Sequence, residues 1–217
     1  MYAECQAQQR HAHESSNFFW ATLKRHRYNS PVKRRRLILF ALLFLVAGLA
    51  LYLWREQERA KRFFPEIKAA AKRYGMDPLL IKAVVWQESR FDPAIRGRAG
   101  EIGLMQIQDI AAQEWADEER YATFDHEHCL DPGTNTMAGT FYLSKLLKRY
   151  KKADNPIPYA LADYNAGRGN LLKWSGGAAA TNSAVFISQI GFPSTRHYVE
   201  NVMRRYAYYK FLARFGI

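Results

Sequence analysis

Residues 87–106 read QESRFDPAIRGRAGEIGLMQ, and this stretch, with the helix predicted in front of it, decides the fold. Leu80, Val84 and Glu88 recur at i, i+4 and i+8, so they lie on one face of that helix. Glu88 ends this apolar face, and a segment rich in glycine and proline follows it. A carboxylate at the end of a buried helical face, next to an irregular turn, is a candidate for acid–base chemistry.

Two effects predict that the pKa of the Glu88 carboxyl lies above that of a free glutamate. Burial disfavours the charged form, and the negative end of the helix dipole does the same. Arg90 would oppose both effects if its side chain points toward Glu88. A raised pKa suits a general acid, whereas the alternative interpretation of Glu88 is a solvated residue at a helix end.

The rest of the chain predicts further helices and few strands. A helix over 64–74 is predicted to end at Gly75, and the next one is predicted to begin at Asp77 and Pro78, which fit the N-cap and the first helical position. The remaining helical patterns lie over residues 136–150, 157–164 and 195–215. We therefore expect one mainly α-helical domain spanning residues 63–217.

Four motifs in series resemble those of the lysozyme-like lytic transglycosylases, in that family's order. The first is Glu88-Ser89 with the turn after it and the Gly-Leu-Met-Gln segment that ends at Gln106. The other three are residues 135–150, 160–167 and 195–199, which resemble the family's central helix, its Ala-Tyr-Asn-Ala-Gly motif and its Thr-Arg-x-Tyr-Val motif. One such motif is weak evidence, but four in the same order are not expected by chance. The resemblance implies a lysozyme-like helical fold.

The same resemblance implies the residues of the site. Glu88 is the implied catalytic acid/base, and Tyr198 is expected to lie near it. The residues implied to bind the sugar chain are Ser89, Gly103, Leu104, Met105, Gln106, Tyr164, Asn165, Ala166 and Tyr198. Structural roles are the alternative for several of them, because Met105 suits the core as well as the groove and Gly103 suits a special backbone conformation.

Three positions depart from the family's pattern. Gly97 stands where the family usually has Ser, while Glu101 and Asp163 stand where it usually has Ala. The first change removes a hydroxyl that could bond to Glu88 or to the substrate, and the other two add carboxylates near the expected groove. We therefore expect the chemistry of the sugar subsites to differ in detail from the family's pattern.

The resemblance also implies an activity, the non-hydrolytic cleavage of peptidoglycan glycan strands. Ordinary glycosidases use two carboxylates, whereas this motif supplies one. In the family's mechanism, Glu88 would protonate the oxygen between N-acetylmuramic acid (MurNAc) and N-acetylglucosamine (GlcNAc), then accept the proton of the muramyl C6 hydroxyl, leaving a 1,6-anhydro end. Two alternatives stay open: a hydrolytic muramidase similar to goose-type lysozyme, in which Asp163 or another acid positions water, and a non-catalytic wall-binding scaffold.

The N-terminal part of the sequence predicts a membrane anchor. Residues 37–54 contain no charged or strongly polar side chain, and a helix of this length is about 27 Å long, close to the hydrocarbon thickness of a bilayer. A buried core helix is the alternative. Residues 1–36 carry eight Lys or Arg against two acidic residues, half of the net charge of +12.

The position of these charges predicts the orientation of the chain. By the positive-inside rule, residues 1–36 form a basic cytoplasmic tail, and the helical domain lies on the periplasmic side of the bacterial inner membrane. Residues 55–62 are then a juxtamembrane stalk. The leader is long for a secretory signal, so we expect an uncleaved, single-pass anchor.

Other functions have weaker support in the sequence. The basic tail could bind nucleic acid, but membrane topology is a sufficient explanation for it. Residues 125–129, DHEHC, match no standard zinc spacing, so we interpret them as a loop and expect no metal or cofactor. Cys5 and Cys129 fall on opposite sides of the expected membrane and cannot pair, and Cys129 is interpreted as a buried apolar residue.

Overall fold

The computed structural model describes residues 31–216, which form nine α-helices, two short 3-10 helices and no β-strand. The α-helices are α1 (Pro31–Arg62), α2 (Phe64–Tyr74), α3 (Pro78–Ser89), α4 (Asp109–Glu118), α5 (Pro132–Arg149), α6 (Pro156–Ala166), α7 (Arg168–Trp174), α8 (Ser183–Gln189) and α9 (Pro193–Ala213). The 3-10 helices are His126–Leu130 and Gly177–Ala180. The predicted mainly α fold class is confirmed. The expectations for Cys5 and for the part of the basic tail before residue 31 lie outside the described residues.

The chain divides into two units, one ending at Trp54 and the other beginning at Arg55. The described part of the first unit is the stretch 31–54 of α1, and the side chains over residues 37–54 are all exposed. None of its most apolar stretch is buried, unlike the core helix of a soluble protein. Within residues 31–216, α1 is the one helix long and apolar enough to cross a membrane.

Three helices of the second unit, α3, α5 and α6, begin with a capping side chain followed by proline. The Asp77 side chain accepts the Leu79 backbone N–H at 2.8 Å and Pro78 is the first helical residue, which confirms the predicted start of α3. Gly75, at φ 65°, ends α2 in the left-handed conformation that a side chain would disfavour.

Two more helices begin with a capping side chain followed by proline, and both begin earlier in the chain than predicted. The Asp131 side chain accepts the Thr134 N–H at 2.8 Å, so α5 begins at Pro132 and not at residue 136. Asn155 likewise caps α6 by accepting the Ile157 N–H at 3.1 Å. A proline that looks like a breaker in sequence is therefore the first residue of each helix.

The hydrophobic core forms where α3 packs between α2 and α9, next to the pair α5 and α6. Ile81, Val84 and Val85 on α3 are fully buried there. A second, smaller cluster gathers around Trp115 of α4 and includes Cys129. Because α3 runs through the main core, its C-terminal end is held in a fixed place relative to α6 and α9.

Residues 126–130 form a 3-10 helix, where a loop was predicted. The Asp125 side chain accepts the Glu127 N–H at 2.8 Å, and His128 Nδ1 accepts the Asp125 N–H at 3.0 Å, so the two side chains close both ends of a capping box. Cys129 is fully buried, as predicted, and burial raises the pKa of its thiol to about 12.

Candidate active site

Glu88 is the last residue but one of α3, and the backbone turns sharply just after it. Arg90 and Phe91 have φ values of 52° and 60°, which L-residues with side chains rarely adopt. The Arg90 N–H closes the helix on Trp86 O at 3.2 Å, and the fully buried Phe91 side chain anchors the turn. This turn places the Glu88 carboxyl at the mouth of a groove. Backbone strain of this kind is often found at functional sites.

The segment 103–106 forms a second tight turn beside Glu88. Gly103 has φ 76° and Gln106 has φ 46°, and the backbones of Ile102 and Ile107 exchange hydrogen bonds of 3.2 and 3.1 Å across the turn. The Ser89 hydroxyl donates to Leu104 O at 2.8 Å. The end of α3 and this turn are therefore tied to each other beneath the groove.

Asn135, at the start of α5, holds the same turn from the other side. Its Oδ1 accepts the Met105 N–H at 2.7 Å, and its Nδ2 donates to Ile102 O and Cys129 O at 2.8 and 2.7 Å. Tyr164 of α6 donates its hydroxyl to Met105 O at 2.7 Å. The backbone polar groups of a buried turn must be paired, and these side chains pair them.

The groove has a volume of about 450 Å³ and runs past the end of α3. Its lining is formed by the turn after α3, the start of α4, and α5 and α6. The lining residues are Glu88, Gly97, Arg98, Glu101, Gln106, Ile107, Gln108, Ala111, Tyr142, Asp163, Tyr164, Asn165, Ala166 and Gly167. The groove thus brings together residues from three of the four motifs.

The Glu88 carboxyl is half-buried in this groove, and burial raises its pKa to about 7. Tyr198 of α9 donates its hydroxyl to Glu88 Oε1 at 2.6 Å, which lowers the pKa, while the negative charge of Glu101 raises it. The Arg90 guanidinium lies over the Trp86 ring, 3.3 Å from its centroid, and is not among the groups that shift Glu88. The predicted direction of the pKa shift is confirmed, with burial as its main cause.

Two amide side chains in the groove are oriented by their neighbours. Asn165 Oδ1 accepts the Thr195 hydroxyl at 2.9 Å, so the amide N–H groups of Asn165 remain for a ligand. Gln106 Nε2 donates to Ile95 O and Gly103 O, both at 3.0 Å, so its oxygen remains as an acceptor. The groove therefore offers donors and acceptors suited to the hydroxyl and acetamido groups of sugars.

Asp163 lines the groove, yet its carboxylate is bound by cationic and hydroxyl partners. Arg149 Nη1 donates to Asp163 Oδ2 at 2.8 Å and the Tyr150 hydroxyl donates to the same oxygen at 2.6 Å. The Asp163 side chain is 1% exposed. This carboxylate joins α6 to the end of α5 through its Oδ2 atom.

The sequence prediction placed more residues on the groove surface than the structure does. Glu88, Gln106, Tyr164, Asn165 and Ala166 do line the groove. The residues that do not are Ser89, Gly103, Leu104, Met105 and Tyr198, all of which are buried. These five support the groove from below because their side chains are used in packing and internal hydrogen bonds, although Tyr198 lies against Glu88 as predicted.

Sequence reasoning missed several residues of the site. Arg98, Gln108 and Tyr142 line the groove, and Asn135 organises the turn beneath it. In the sequence, Asn135 is a polar residue spaced one helical turn from the buried positions of α5. A polar residue at such a position needs hydrogen-bond partners, and this was the signal that could have identified it. Arg98 and Gln108 lie in irregular segments, where periodicity gives no direction for a side chain.

Much of the chain matches known proteins in sequence. The transglycosylase SLT domain family matches residues 65–187, more than half of the chain. The membrane-bound lytic murein transglycosylase F of Desulfosudis oleivorans is 40% identical over 116 residues, which are 52% of this chain and 24% of that protein. The soluble lytic murein transglycosylase of Escherichia coli K12 is 35% identical over 131 residues, 59% of this chain and 20% of that protein.

Solved structures show the same relationship. An inactive mutant of the lytic transglycosylase Slt from Pseudomonas aeruginosa has a TM-score of 0.63 at 27% identity, covering 69% of this chain and 24% of that one. A 70-kDa soluble lytic transglycosylase in complex with bulgecin A has a TM-score of 0.62 at 28% identity, with the same coverage. The chain thus spans about a quarter or less of these relatives, and it belongs to the transglycosylase SLT domain family.

Proposed function

We propose that this protein is a lytic transglycosylase that cleaves the MurNAc-β-1,4-GlcNAc bond of peptidoglycan, with Glu88 as its single acid/base. The observation that carries the proposal is the Glu88 carboxyl, which lies in a polar groove with a pKa of about 7 and accepts a hydrogen bond from Tyr198. A carboxyl with this pKa holds its proton near neutral pH and can also release it, as a residue that acts first as acid and then as base must do.

The proposed reaction uses one carboxyl twice. Glu88 gives its proton to the glycosidic oxygen as the bond to C1 breaks, and the Tyr198 hydroxyl stabilises the carboxylate that results. The muramyl C6 hydroxyl then attacks C1 and returns its proton to Glu88. No water is consumed, and the product ends in 1,6-anhydro-MurNAc.

The pairing of Asp163 counts against a hydrolytic reaction that would use this residue. A hydrolytic enzyme needs a second carboxylate to activate water. Asp163, the residue first considered for that role, is bound by Arg149 and Tyr150. Both of these donors bind Asp163 Oδ2 and would compete with a water molecule for that oxygen.

The mass of the products tests the proposal. Purified sacculi digested by the full chain should release muropeptides lighter by one water than those of a hydrolytic muramidase, and Glu88→Gln should abolish their release. Glu118→Gln is a matched control, because Glu118 is exposed and lies outside the groove. Reducing muramic ends would favour the muramidase, whereas equal clearance by Glu88→Gln would favour a non-catalytic scaffold.

We also propose that α1 anchors the protein in the bacterial inner membrane, with its N-terminus in the cytoplasm and the second unit in the periplasm. The exposed apolar surface of residues 37–54 supports an anchor, and the basic residues before it support this orientation. Some of the similar proteins, such as the one from Desulfosudis oleivorans, are named as membrane-bound.

A further inference from the structure

Two of the departures from the family's pattern, Gly97 and Glu101, occupy one place in the groove. A Cβ atom built on Gly97 would overlap Glu101 Oε2 and lie 2.9 Å from Glu101 Cδ. The Glu101 carboxylate therefore fills the space that any side chain at position 97 would need. Gly97 has an ordinary backbone conformation, so the position of the Glu101 carboxylate, and not a positive φ, is what a side chain there would disturb.

The loop between these residues fixes the Glu101 carboxylate. The Gly97 N–H donates to Glu101 O at 2.7 Å, and the Ala99 N–H donates to Glu101 Oε2 at 3.0 Å. Within residues 31–216, no donor is bonded to the other carboxylate oxygen, Oε1. The Glu101 carboxylate thus has a fixed position on the groove surface, because the Ala99 N–H is bonded to it.

Besides Glu101 and Asp163, four groups with acidic or basic side chains belong to the surroundings of Glu88. Tyr198 of α9 bonds to it, Tyr164 of α6 and Tyr142 of α5 line the groove, and Arg98 lies in the same loop as Glu101. The tyrosines are neutral near pH 7, and burial raises the pKa of each of them. Glu101 is therefore the anionic group of the groove that remains free to act on Glu88, since Asp163 is bound to Arg149.

We propose that Gly97 and Glu101 form a matched pair. The absence of a side chain at position 97 leaves room for the Glu101 carboxylate, and Glu101 acts as a positioning residue that keeps Glu88 in its protonated form. The inference rests on the proposed function of Glu88. A fixed negative charge in the same groove destabilises the Glu88 anion and so preserves the proton needed to begin the reaction. The repulsion by Glu101 also acts in the direction of the raised Glu88 pKa.

Glu101→Gln in the full chain in detergent tests the role of the charge. The variant keeps the shape of the side chain and removes its charge, so Glu88 should lose its proton at lower pH. We expect the activity ratio between pH 8 and pH 5 to fall at least about twofold relative to the unmodified protein. Glu118→Gln makes the same change of charge outside the groove and should leave the ratio unchanged.

Gly97→Ala tests the matched pair. The added Cβ should displace the Glu101 carboxylate and move the pH profile in the same direction as Glu101→Gln. In a Glu101→Ala background there is no carboxylate to displace, so the further change Gly97→Ala should have no effect on the profile. Gly169→Ala is the control, because Gly169 has open space around its Cα and lies outside the groove.

A carbon-13 NMR titration of the Glu88 carboxyl separates this inference from the proposed function. If the unmodified protein cleaves no peptidoglycan, the proposed function fails, yet the titration still shows whether Glu101→Gln lowers the pKa of Glu88. If the protein is active and neither the titration nor the pH profile moves in Glu101→Gln, the inference is wrong. An effect of Gly97→Ala that persists without the Glu101 carboxylate would also overturn it.

Discussion

The hydrogen bond from Tyr198 to Glu88 acts against the burial of the carboxyl. A donor to a carboxylate stabilises its charged form, so this bond holds the pKa of Glu88 below the value that burial alone would give. The same bond is available to the anion that forms when Glu88 releases its proton. Tyr198 therefore influences both the pH range of the proposed reaction and its rate.

Tyr198→Phe should raise the pKa of Glu88 above about 7 and move the alkaline limb of the activity profile to higher pH. Activity at pH 5 should fall about threefold to tenfold, because the carboxylate formed during bond cleavage loses a donor. The measurement is kcat/KM against pH on soluble glycan strands. Tyr206→Phe is the control, since it removes a hydroxyl that bonds to Asp77 away from the groove. A shift of the limb to lower pH would contradict the assignment.

Glu88 should also make the folded protein less stable as the pH rises. Its pKa is about 7 in the folded state, whereas the ordinary value for a glutamate is 4.5, so between these values the folded state binds more protons than the unfolded state. Stability is therefore lost as the pH increases through this window, and Glu88→Gln escapes the loss. We expect Glu88→Gln to gain about 1–3 kcal/mol at pH 8 and almost nothing at pH 4.

Thermal unfolding of the full chain in detergent at pH 4, 6 and 8 measures this difference. Glu118→Gln should show no comparable dependence, because its side chain is exposed. Equal stability of Glu88→Gln and the unmodified protein at pH 8 would mean that burying the charged form of Glu88 does not destabilise the folded state.

At the scale of elements, the turn over 103–106 depends on the absence of a side chain at its first residue. In Gly103→Ala the added Cβ would overlap Asn135 Nδ2 and lie 2.6 Å from Cys129 O. Residue 103 would also have to keep its φ of 76°. We expect a loss of about 2–4 kcal/mol in the free energy of unfolding, because both the backbone conformation and the Asn135 contacts are disturbed. Denaturant unfolding measures it.

Gly100→Ala separates the two causes of that loss. Gly100 also has a positive φ, 88°, but nothing lies near the position of its Cβ. This variant should lose about 1 kcal/mol from backbone strain alone. If Gly103→Ala costs no more than Gly100→Ala, the packing of the turn against Asn135 is looser than described.

The helices that could be predicted are those in which the capping residues and the apolar face indicate the same helix limits. Gly75, Asp77 and Pro78 gave correct limits for α2 and α3. No pattern in the sequence predicted α4, α7 and α8, which have ten, seven and seven residues. Such short helices carry little periodic signal, and α4 buries mostly alanines against its one tryptophan.

The candidate site shows a similar division. Glu88, its raised pKa and its neighbour Tyr198 follow from a local pattern and a motif resemblance. The pairing of Asp163 with Arg149 does not, because these residues come together only when α5 packs against α6. The contact between Gly97 and Glu101 likewise depends on the path of an irregular loop, for which spacing in sequence gives no geometry.

At the scale of the whole molecule, the proposed orientation predicts where each end of the chain lies. Alkaline phosphatase fused after residue 217 should be active, because it would fold in the periplasm, and the chain should stay in the membrane pellet after alkaline extraction. Changing residues 33–36 from basic to acidic should lower the phosphatase activity severalfold. Equal activity of the two fusions, or a soluble chain, would contradict the proposed topology.

The buried thiol of Cys129 makes the second unit convenient for site-specific labelling. The thiolate is the form that reacts with alkylating dyes, and with a pKa of about 12 fewer than about one Cys129 in ten thousand carries it at pH 7.5. After Cys5→Ser, a new cysteine at the exposed groove residue Gln108 would be the dominant site of modification. A fluorophore or spin label there could report the arrival of a glycan strand in real time, without any background to subtract.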